Sequence, residues 1–235
     1  SLIRMAGKTI NDKGWAEYST WENSRSLREL YARRCRLEAE EMTCHQQALE
    51  LLMPHTEKGD TLLDVGCGSG YFYHSLRKRE VPMAYFGIDA ATSLIKIGKK
   101  ILPSYGLPAT NLQLMRIEDL NETFDHIACI NVLTYLDNYQ RYLERMLKCA
   151  RKTVILRESI KDISEYLYVV DRYLDEGVEL KVHVNAYPRK ELQAFIESYG
   201  FSVEFAEDRF AGGKPQMVID YPHYWLFLVA RKNTG

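Results

Sequence analysis

Three glycines spaced two residues apart, Gly66, Gly68 and Gly70, follow a short apolar segment of this sequence. Glycine adopts turn conformations that other residues avoid, and it leaves no side chain in the way of a ligand. A predicted helix follows the turn, so backbone N–H groups and a helix N-terminus would face whatever is bound there. The alternative is a tight turn that serves packing alone.

Asp89 favours the ligand-binding interpretation of this turn. It lies nineteen residues after Gly70, at the end of a second predicted strand. An acidic side chain at this place can accept hydrogen bonds from both hydroxyls of a ribose. Taken alone, Asp89 could equally cap a strand end, but together with the glycine turn it predicts a site for a nucleoside-containing ligand.

Composition and charge exclude several classes of protein. With 235 residues, of which 46% are hydrophobic, the chain can bury the core of one α/β domain with a small cap. Its 31 basic and 32 acidic side chains nearly cancel, so we expect no nucleic-acid partner. No apolar run reaches the roughly 18 residues of a membrane span, and the N-terminal residues lack the apolar stretch of a secretory signal, so we expect a cytoplasmic protein without a membrane partner. Five widely spaced cysteines without a C-x-x-C pair predict reduced thiols and no metal site.

Strands and helices alternate through the middle of the chain. Their spacing predicts right-handed crossovers and a mostly parallel sheet with helices on both faces. Ligands of such sheets bind beyond the carboxyl ends of the strands. The predicted strands are 61–65, 84–89, 112–115, 124–131 and 153–157, and the predicted helices are 70–78, 93–101 and 139–150.

The two flanks of this region differ in pattern. Residues 24–53 predict one or two helices that form a cap, which gives a division into a cap, 1–54, and a ligand-binding domain, 55–235. Downstream, residues 162–175 and 189–199 are predicted to be helical. The final apolar segments, 201–205 and 224–230, predict an antiparallel pair at one edge of the sheet.

With these motifs in order, the sequence resembles the class I S-adenosylmethionine-dependent methyltransferases, in their small-molecule branch, over roughly residues 45–232. The motifs are G-x-G-x-G at 66–70, Phe-Gly-Ile-Asp at 86–89, the fourth-strand segment 124–133 and the late segment 187–201. A nicotinamide-binding turn would instead need glycine or alanine at Tyr71. The resemblance implies an α/β, Rossmann-like, doubly wound and mostly parallel seven-stranded sheet, with an antiparallel edge hairpin and an N-terminal helical cap.

The resemblance also implies the cofactor S-adenosylmethionine, with S-adenosylhomocysteine as product, and a set of residues that hold it. Relatives often have an acidic residue where this chain has Arg116, so Ile117, Glu118 or both are expected to contact the adenine. The main chain at Asn131 is expected near the methionine amino group. The remaining implied contacts are the ribose, at Asp89 and Ala90, and the methionine part, at Asp64, Gly66, Cys67, Gly68 and Gly70.

The acceptor and the catalytic base are less clearly indicated. Methyl transfer by direct in-line displacement needs alignment and, for a hydroxyl or ammonium acceptor, a nearby base. The candidate bases are Glu158, His183 and His223, although each residue type is more often structural. The candidate substrate contacts are Tyr18, Trp21 and Tyr135, and the candidate specificity segments are 160–186 and 206–222.

Several functions remain open at this point. The fourth strand lacks the Asn/Asp-Pro-Pro-aromatic motif of methyltransferases that act on bases or glutamine, which favours a small-molecule acceptor with an oxygen or nitrogen nucleophile. The alternatives are a protein or peptide methyltransferase and a non-catalytic S-adenosylmethionine-binding partner subunit. The basic residues Arg28, Arg33, Arg34 and Arg36 alternate with glutamates and are interpreted as a solvated helix face.

Overall fold

The fold, taken from a computed structural model, is described for residues 19–235. The helices are α1 (Arg25–Cys35), α2 (Thr43–Leu52), α3 (Phe72–Lys78), α4 (Thr92–Ile101), α5 (Gln140–Cys149) and α6 (Arg189–Glu197). The strands are β1 (Thr61–Val65), β2 (Ala84–Asp89), β3 (Leu112–Leu114), β4 (Phe124–Ile130), β5 (Ala150–Lys161), β6 (Glu165–Asp171), β7 (Leu180–Pro188), β8 (Phe201–Glu207), β9 (Gln216–Val218), β10 (Tyr221–His223) and β11 (Trp225–Lys232).

The central sheet has the strand order β3-β2-β1-β4-β5-β11-β8. The first five strands of this order are parallel, and β11 runs antiparallel to both of its neighbours, β5 and β8. The predicted mostly parallel, seven-stranded sheet with an antiparallel pair near its edge is therefore confirmed. Because β11 runs opposite to β5, its first residue, Trp225, lies at the same side of the sheet as the carboxyl end of β5.

The helix predicted over residues 162–175 is wrong. This segment contains β6, which pairs antiparallel with β7, and β7 in turn joins the end of β5. Its tyrosines and valines suit a strand once a partner supplies the hydrogen bonds. The partner β7 is separated from β6 by a turn that the local pattern does not reveal. The same pairing extends β5 to Lys161, four residues beyond its predicted end.

Both faces of the sheet are covered by helices. Successive residues of β1 point to opposite faces: Leu63 packs with α5 and α6, whereas Leu62 packs with α2, α3 and α4. Burial on both faces leaves the carboxyl ends of the strands as the place where a ligand can reach the sheet. All five cysteines are buried and free. Within residues 19–235, no helix is long and apolar enough to cross a membrane.

Candidate functional site at the carboxyl ends of the strands

A cavity of about 720 Å³ lies beyond the carboxyl ends of β1, β2 and β4. Side chains of α1 and α2, including Tyr31, Arg34 and His45, form part of its wall. We call the part formed by Asp64 on β1, Gly66 and Gly68 in the turn after β1, and Asp89 on β2 the carboxylate end. We call the part formed by Trp21, Tyr135, Arg157, Phe210 and Trp225 the aromatic end. Four strand spacings of ~4.8 Å separate β2 from β11 in the sheet, so the cavity spans roughly 19 Å.

The glycine turn needs its glycines for two reasons. Gly66, Gly68 and Gly70 have φ values of 69°, 60° and 83°, in the left-handed region where other residues are strained. A Cβ atom on Gly68 would also lie 2.6 Å from the ring of Tyr31 on α1. Gly66, Gly68 and the intervening Cys67 line the cavity, whereas Gly70 does not. A Cβ on Gly70 would instead press on Leu112 at 2.8 Å, so this glycine serves core packing.

Asp89 connects the glycine turn to helix α4. One carboxylate oxygen accepts a hydrogen bond from Gly68 N at 2.8 Å, and the other accepts from Ala91 N at 2.8 Å. Each oxygen keeps a further lone pair for a donor from the cavity. Burial raises the pKa of Asp89 to about 6, against the opposing effect of these hydrogen bonds. The neighbouring Ala90 also lines the cavity.

Asp64 is the second carboxylate at this end, and it is buried. Its Oδ2 accepts a hydrogen bond from Tyr85 Oη at 2.6 Å. Burial raises the pKa of Asp64 to about 7, and the charge of Asp89 acts in the same direction. Among residues 19–235, no basic side chain forms an ion pair with Asp64 or Asp89. One buried and one half-buried carboxylate without a cation suit a ligand that carries positive charge and hydroxyl groups.

The residues predicted to contact adenine lie beside the carboxylate end. Ile117 is buried in the cavity wall, and Glu118 and Arg116 line the cavity as exposed residues. Glu118 Oε1 lies 3.8 Å from Arg141 Nε, so its charge already has a partner. Together with the nearby side chains of Leu94 and Met115, Ile117 provides an apolar surface that suits a flat base. The roles of Ile117 and Glu118 stay predictions.

Asn131 lies where β4 ends, and it lines the cavity with a φ of 60°. Its backbone N–H donates to Arg157 O at 2.8 Å, and its side-chain oxygen accepts from Arg157 Nη1 at 2.6 Å. The same guanidinium donates to both oxygens of Asp208, at 2.8 and 3.1 Å, and lies 4.4 Å from the centre of the Trp225 ring. Arg157 is absent from the predicted site, although a lone arginine in the apolar run Val-Ile-Leu-Arg at 154–157 was a usable signal.

The interpretation of the α1 arginines as a solvated face is wrong for Arg34. Arg33 and Arg36 are exposed, but Arg34 is half-buried and lines the cavity. Its Nη1 donates to Tyr71 Oη at 2.8 Å, and its guanidinium lies over the rings of Tyr31 and Tyr71. No carboxylate of the described chain forms an ion pair with Arg34. The cavity wall formed by α1 therefore offers a cation to a bound anionic group.

The structure separates the three candidate bases. Glu158 is buried and does not line the cavity. Its two oxygens accept from the backbone N–H groups of 132, 133 and 134 and from Thr134 Oγ1, at 2.8–3.0 Å. These bonds fix the turn after β4 and argue against a role as a base. His183 lies on β7, stacked on Tyr168, and does not line the cavity either. His223 lies directly behind Tyr135, with Nε2 3.0 Å from the tyrosine hydroxyl.

The candidate substrate contacts fall partly at the aromatic end. Trp21 and Tyr135 line the cavity, and their rings meet edge to face with centres 5.9 Å apart. Tyr18 lies outside the described residues. The predicted specificity segment 206–222 contributes Phe210 and Val218 to the wall, whereas 160–186 contributes no lining residue. Trp225, which also lines the cavity, is absent from the predicted site, because its side chain reaches the cavity only through the reversed direction of β11.

This chain is similar in sequence to a known protein family. A sequence family described as a methyltransferase domain matches residues 44–204. Ubiquinone biosynthesis O-methyltransferase of Coxiella burnetii is 34% identical over 92 residues, which are 38% of this chain and 38% of that protein. The aligned stretches span 38–41% of the length of the first curated relatives.

Solved structures of methyltransferases share the fold at low sequence identity. Magnesium protoporphyrin IX methyltransferase from Synechocystis PCC 6803, solved with bound S-adenosylmethionine, has a TM-score of 0.60 at 14% identity. That match covers 97% of this chain and 100% of the other. An S-adenosylmethionine-dependent methyltransferase from Clostridium acetobutylicum has a TM-score of 0.61 at 13% identity, covering 88% and 97%.

Proposed function

This chain belongs to the class I S-adenosylmethionine-dependent methyltransferases, and we propose that its methyl acceptor is a small molecule bound at the aromatic end of the cavity. The observation that carries the proposal is the form of the cavity. Its two ends differ in chemistry, and α1 and α2 contribute to its wall. A volume of about 720 Å³ lies within the usual range of small-molecule sites, about 300–1,000 Å³.

The carboxylate end has the donor and acceptor groups that this cofactor needs. We assign Asp89 to the ribose hydroxyls, the backbone at Gly66, Gly68 and Asn131 to the methionine part, and Ile117 to the adenine. S-adenosylmethionine brings an ammonium and a sulfonium charge, which would compensate the carboxylates of Asp64 and Asp89. Arg34 lines the cavity from α1 and has no carboxylate partner in residues 19–235, so we assign it to the methionine carboxylate.

The chain's own residues then have two tasks in the reaction. When bound, the cofactor supplies an electrophilic methyl group, so the protein has chiefly to align the acceptor and exclude water. Arg157, held by Asp208 and Asn131, and the rings of Trp21, Tyr135 and Trp225 would orient a small acceptor. A protein substrate would need an open groove, which the cover of α1 and α2 disfavours. A non-catalytic partner subunit stays an alternative that an activity assay decides.

Calorimetric titration tests the first step of this proposal. The purified chain is titrated with S-adenosylmethionine, S-adenosylhomocysteine and, as a control, NAD. Micromolar binding of the first two without NAD binding is expected, and Asp89→Ala is expected to weaken it. The matched control is Asp162→Ala, which changes an exposed carboxylate away from the cavity. Binding of NAD, or no binding of either sulfur ligand, would contradict the proposed site.

Release of S-adenosylhomocysteine then tests catalysis. Mixtures of small hydroxyl and amine compounds are incubated with the chain and S-adenosylmethionine, and the product is quantified by mass spectrometry. Acceptor-dependent release supports an enzyme with a small-molecule substrate. Release that depends only on added peptides would favour the protein methyltransferase alternative.

A further inference from the structure

A chain of two hydrogen bonds leads from the cavity wall into the protein at the aromatic end. Tyr135 lies in the short turn after β4 and lines the cavity. Its hydroxyl lies 3.0 Å from His223 Nε2, and His223 Nδ1 lies 2.8 Å from the carbonyl oxygen of Tyr221. His223 is fully buried on β10, so Tyr135 is its connection to the cavity.

The partners of His223 determine where its proton lies. A carbonyl oxygen can only accept, so Nδ1 must carry the hydrogen that it donates to Tyr221 O. In the neutral ring, Nε2 is then an acceptor, and the hydroxyl of Tyr135 donates to it. Burial, together with the charge of Arg157, lowers the pKa of His223. At neutral pH the imidazole is therefore uncharged and has the acceptor nitrogen of a base in contact with Tyr135.

Charged groups and aromatic rings from several elements surround Tyr135 and His223. Arg157 on β5 contributes a positive charge, and it is paired with Asp208. Burial raises the pKa of Tyr135, and Glu158 on β5, Tyr31 on α1 and Asp171 on β6 act electrostatically in the same direction, although the oxygens of Glu158 are occupied by the turn at 132–134. The ring of Trp21 contacts Tyr135 and the ring of Trp225 contacts His223, with centres 5.9 and 4.9 Å apart, respectively. The pair thus lies among aromatic rings, one paired guanidinium and two acidic side chains.

Resting on the proposed function, we propose that Tyr135 takes the proton of a hydroxyl group on a planar aromatic acceptor, with His223 as the group that stores it. The acceptor oxygen forms a bond to the methyl carbon as the carbon–sulfur bond breaks, and the electron pair of that bond stays on sulfur. The acceptor's proton moves to Tyr135 Oη, and the tyrosine's own proton moves to His223 Nε2. The products are the methyl ether, S-adenosylhomocysteine and an imidazolium that later returns its proton to water.

The class of acceptor follows from the same groups. A carboxylate acceptor is already ionised and would need no base, so Tyr135 and His223 would have no task with it. An ammonium acceptor would have to bind near the guanidinium of Arg157. A phenol suits both features, because flat rings pack on Trp21, Phe210 and Trp225, and positive charge nearby favours the phenolate. His223 acts through Tyr135, and it is therefore a positioning and proton-storing residue.

The experiment uses 4-nitrophenol as a probe, because its phenolate absorbs visible light. The full chain is saturated with S-adenosylhomocysteine, and the probe is titrated with pH in the presence and absence of protein. We expect the bound probe to ionise about one pKa unit below the free probe, a tenfold change in the ratio of phenolate to phenol. Tyr135→Phe and His223→Gln should each remove this shift while binding of S-adenosylhomocysteine is retained.

Tyr168→Phe is the matched control, since Tyr168 also contacts a histidine, His183, but does not line the cavity. It should keep the full shift. An equal shift in Tyr135→Phe, or no probe binding in the presence of S-adenosylhomocysteine, would overturn the inference. Failure of the wild-type chain to bind S-adenosylhomocysteine would instead overturn the proposed function on which it rests. If Tyr135→Phe does not fold, His223→Gln decides the same question.

Discussion

The carboxylate end of the cavity is built from the glycine turn and from carboxylates on two adjacent strands, whereas the aromatic end is built from side chains of distant segments. Gly66, Gly68 and Asp89 lie within 24 residues of one another, and Gly68 N donates a hydrogen bond directly to Asp89. Trp21, Tyr135 and Trp225 lie together only because three separate segments of the chain pass the carboxyl ends of the strands. The first end therefore follows from a local segment of the chain, while the second depends on how distant segments pack.

The two ends also differ in charge. The carboxylate end holds two acids, the buried Asp64 and the half-buried Asp89, without a cation, and removal from water raises the pKa of both. The aromatic end holds the guanidinium of Arg157, paired with a buried carboxylate. Unpaired charge away from water is costly for the free protein and is compensated by a ligand, whereas a buried pair destabilises the fold when one of its partners is removed. Variants at the two ends should therefore affect different measurements.

The largest effect is expected at the aromatic end, for Arg157→Ala. This substitution leaves Asp208, which is 0% exposed, without its cation and should lower the free energy of unfolding by about 3–5 kcal/mol. Urea unfolding measures it. Arg231→Ala is the matched control, because Arg231 forms an exposed pair with Glu204 and should cost less than about 1 kcal/mol. Equal losses for the two arginines would contradict a structural role for the buried pair.

Gly98→Ala should disturb the carboxylate end through helix α4. A Cβ on Gly98 would lie 2.1 Å from the carbonyl oxygen of Ser69, so the helix or the glycine turn must move. We expect a loss of about 1–3 kcal/mol in unfolding free energy, together with weaker S-adenosylhomocysteine binding. Lys99→Ala, on the exposed side of the same helix, should change neither. A destabilised variant with unchanged affinity would separate the packing of α4 from the ligand site.

Asp89→Ala should act on binding more than on folding. Loss of the acceptor for the ribose hydroxyls should weaken S-adenosylmethionine binding by ~1–3 kcal/mol, measured by calorimetry. The free energy of unfolding should change less, because the same substitution also removes a half-buried carboxylate that has no cation. An unchanged affinity would remove Asp89 from the cofactor site.

The smallest effect expected is the pH dependence of the carboxylate end. Asp64 and Asp89 have folded-state pKa values raised to about 7 and about 6, above their ordinary values near 4. The folded protein thus binds more protons than the unfolded chain in this window. The contribution of these two groups to the free energy of unfolding of the ligand-free protein therefore falls as pH rises from about 4 to 7. A cationic ligand prefers the ionised carboxylates, so S-adenosylmethionine affinity should rise through the same window, by at most about tenfold per pH unit for each proton released.

Calorimetric titrations of S-adenosylmethionine at pH 5.5, 6.5 and 7.5 measure this rise. Asp64→Asn should flatten it, since one of the two titrating groups is removed. Glu118→Gln is the control, because Glu118 lines the cavity but is exposed and lies near Arg141. An affinity that falls with pH would contradict the assignment of the two carboxylates to a cationic ligand.

The sequence predicts features formed by neighbouring residues better than features formed by residues far apart in the chain. The strands around the glycine turn were predicted because strand, turn and helix are local patterns with characteristic spacing. The prediction of a helix in place of β6 is wrong because the hydrogen bonds between β6 and β7 form only in the tertiary structure. Glu158 was a reasonable candidate base from its place at a strand end, but three backbone N–H groups of another turn occupy it. The prediction that Arg34 faces solvent is wrong because the packing of α1 on the rest of the protein decides which of its sides faces the cavity.

The sequence by itself determined the fold class, the family and the glycine turn, because these follow from local periodicity and from backbone conformations that only glycine adopts freely. Tertiary structure alone decided which side chains share the aromatic end. The reversed strand β11 brings Trp225 to the carboxyl end of β5, and the β9–β10 hairpin places His223 behind Tyr135. Contacts between segments about 90 residues apart depend on packing and register, and no local pattern in the chain encodes them.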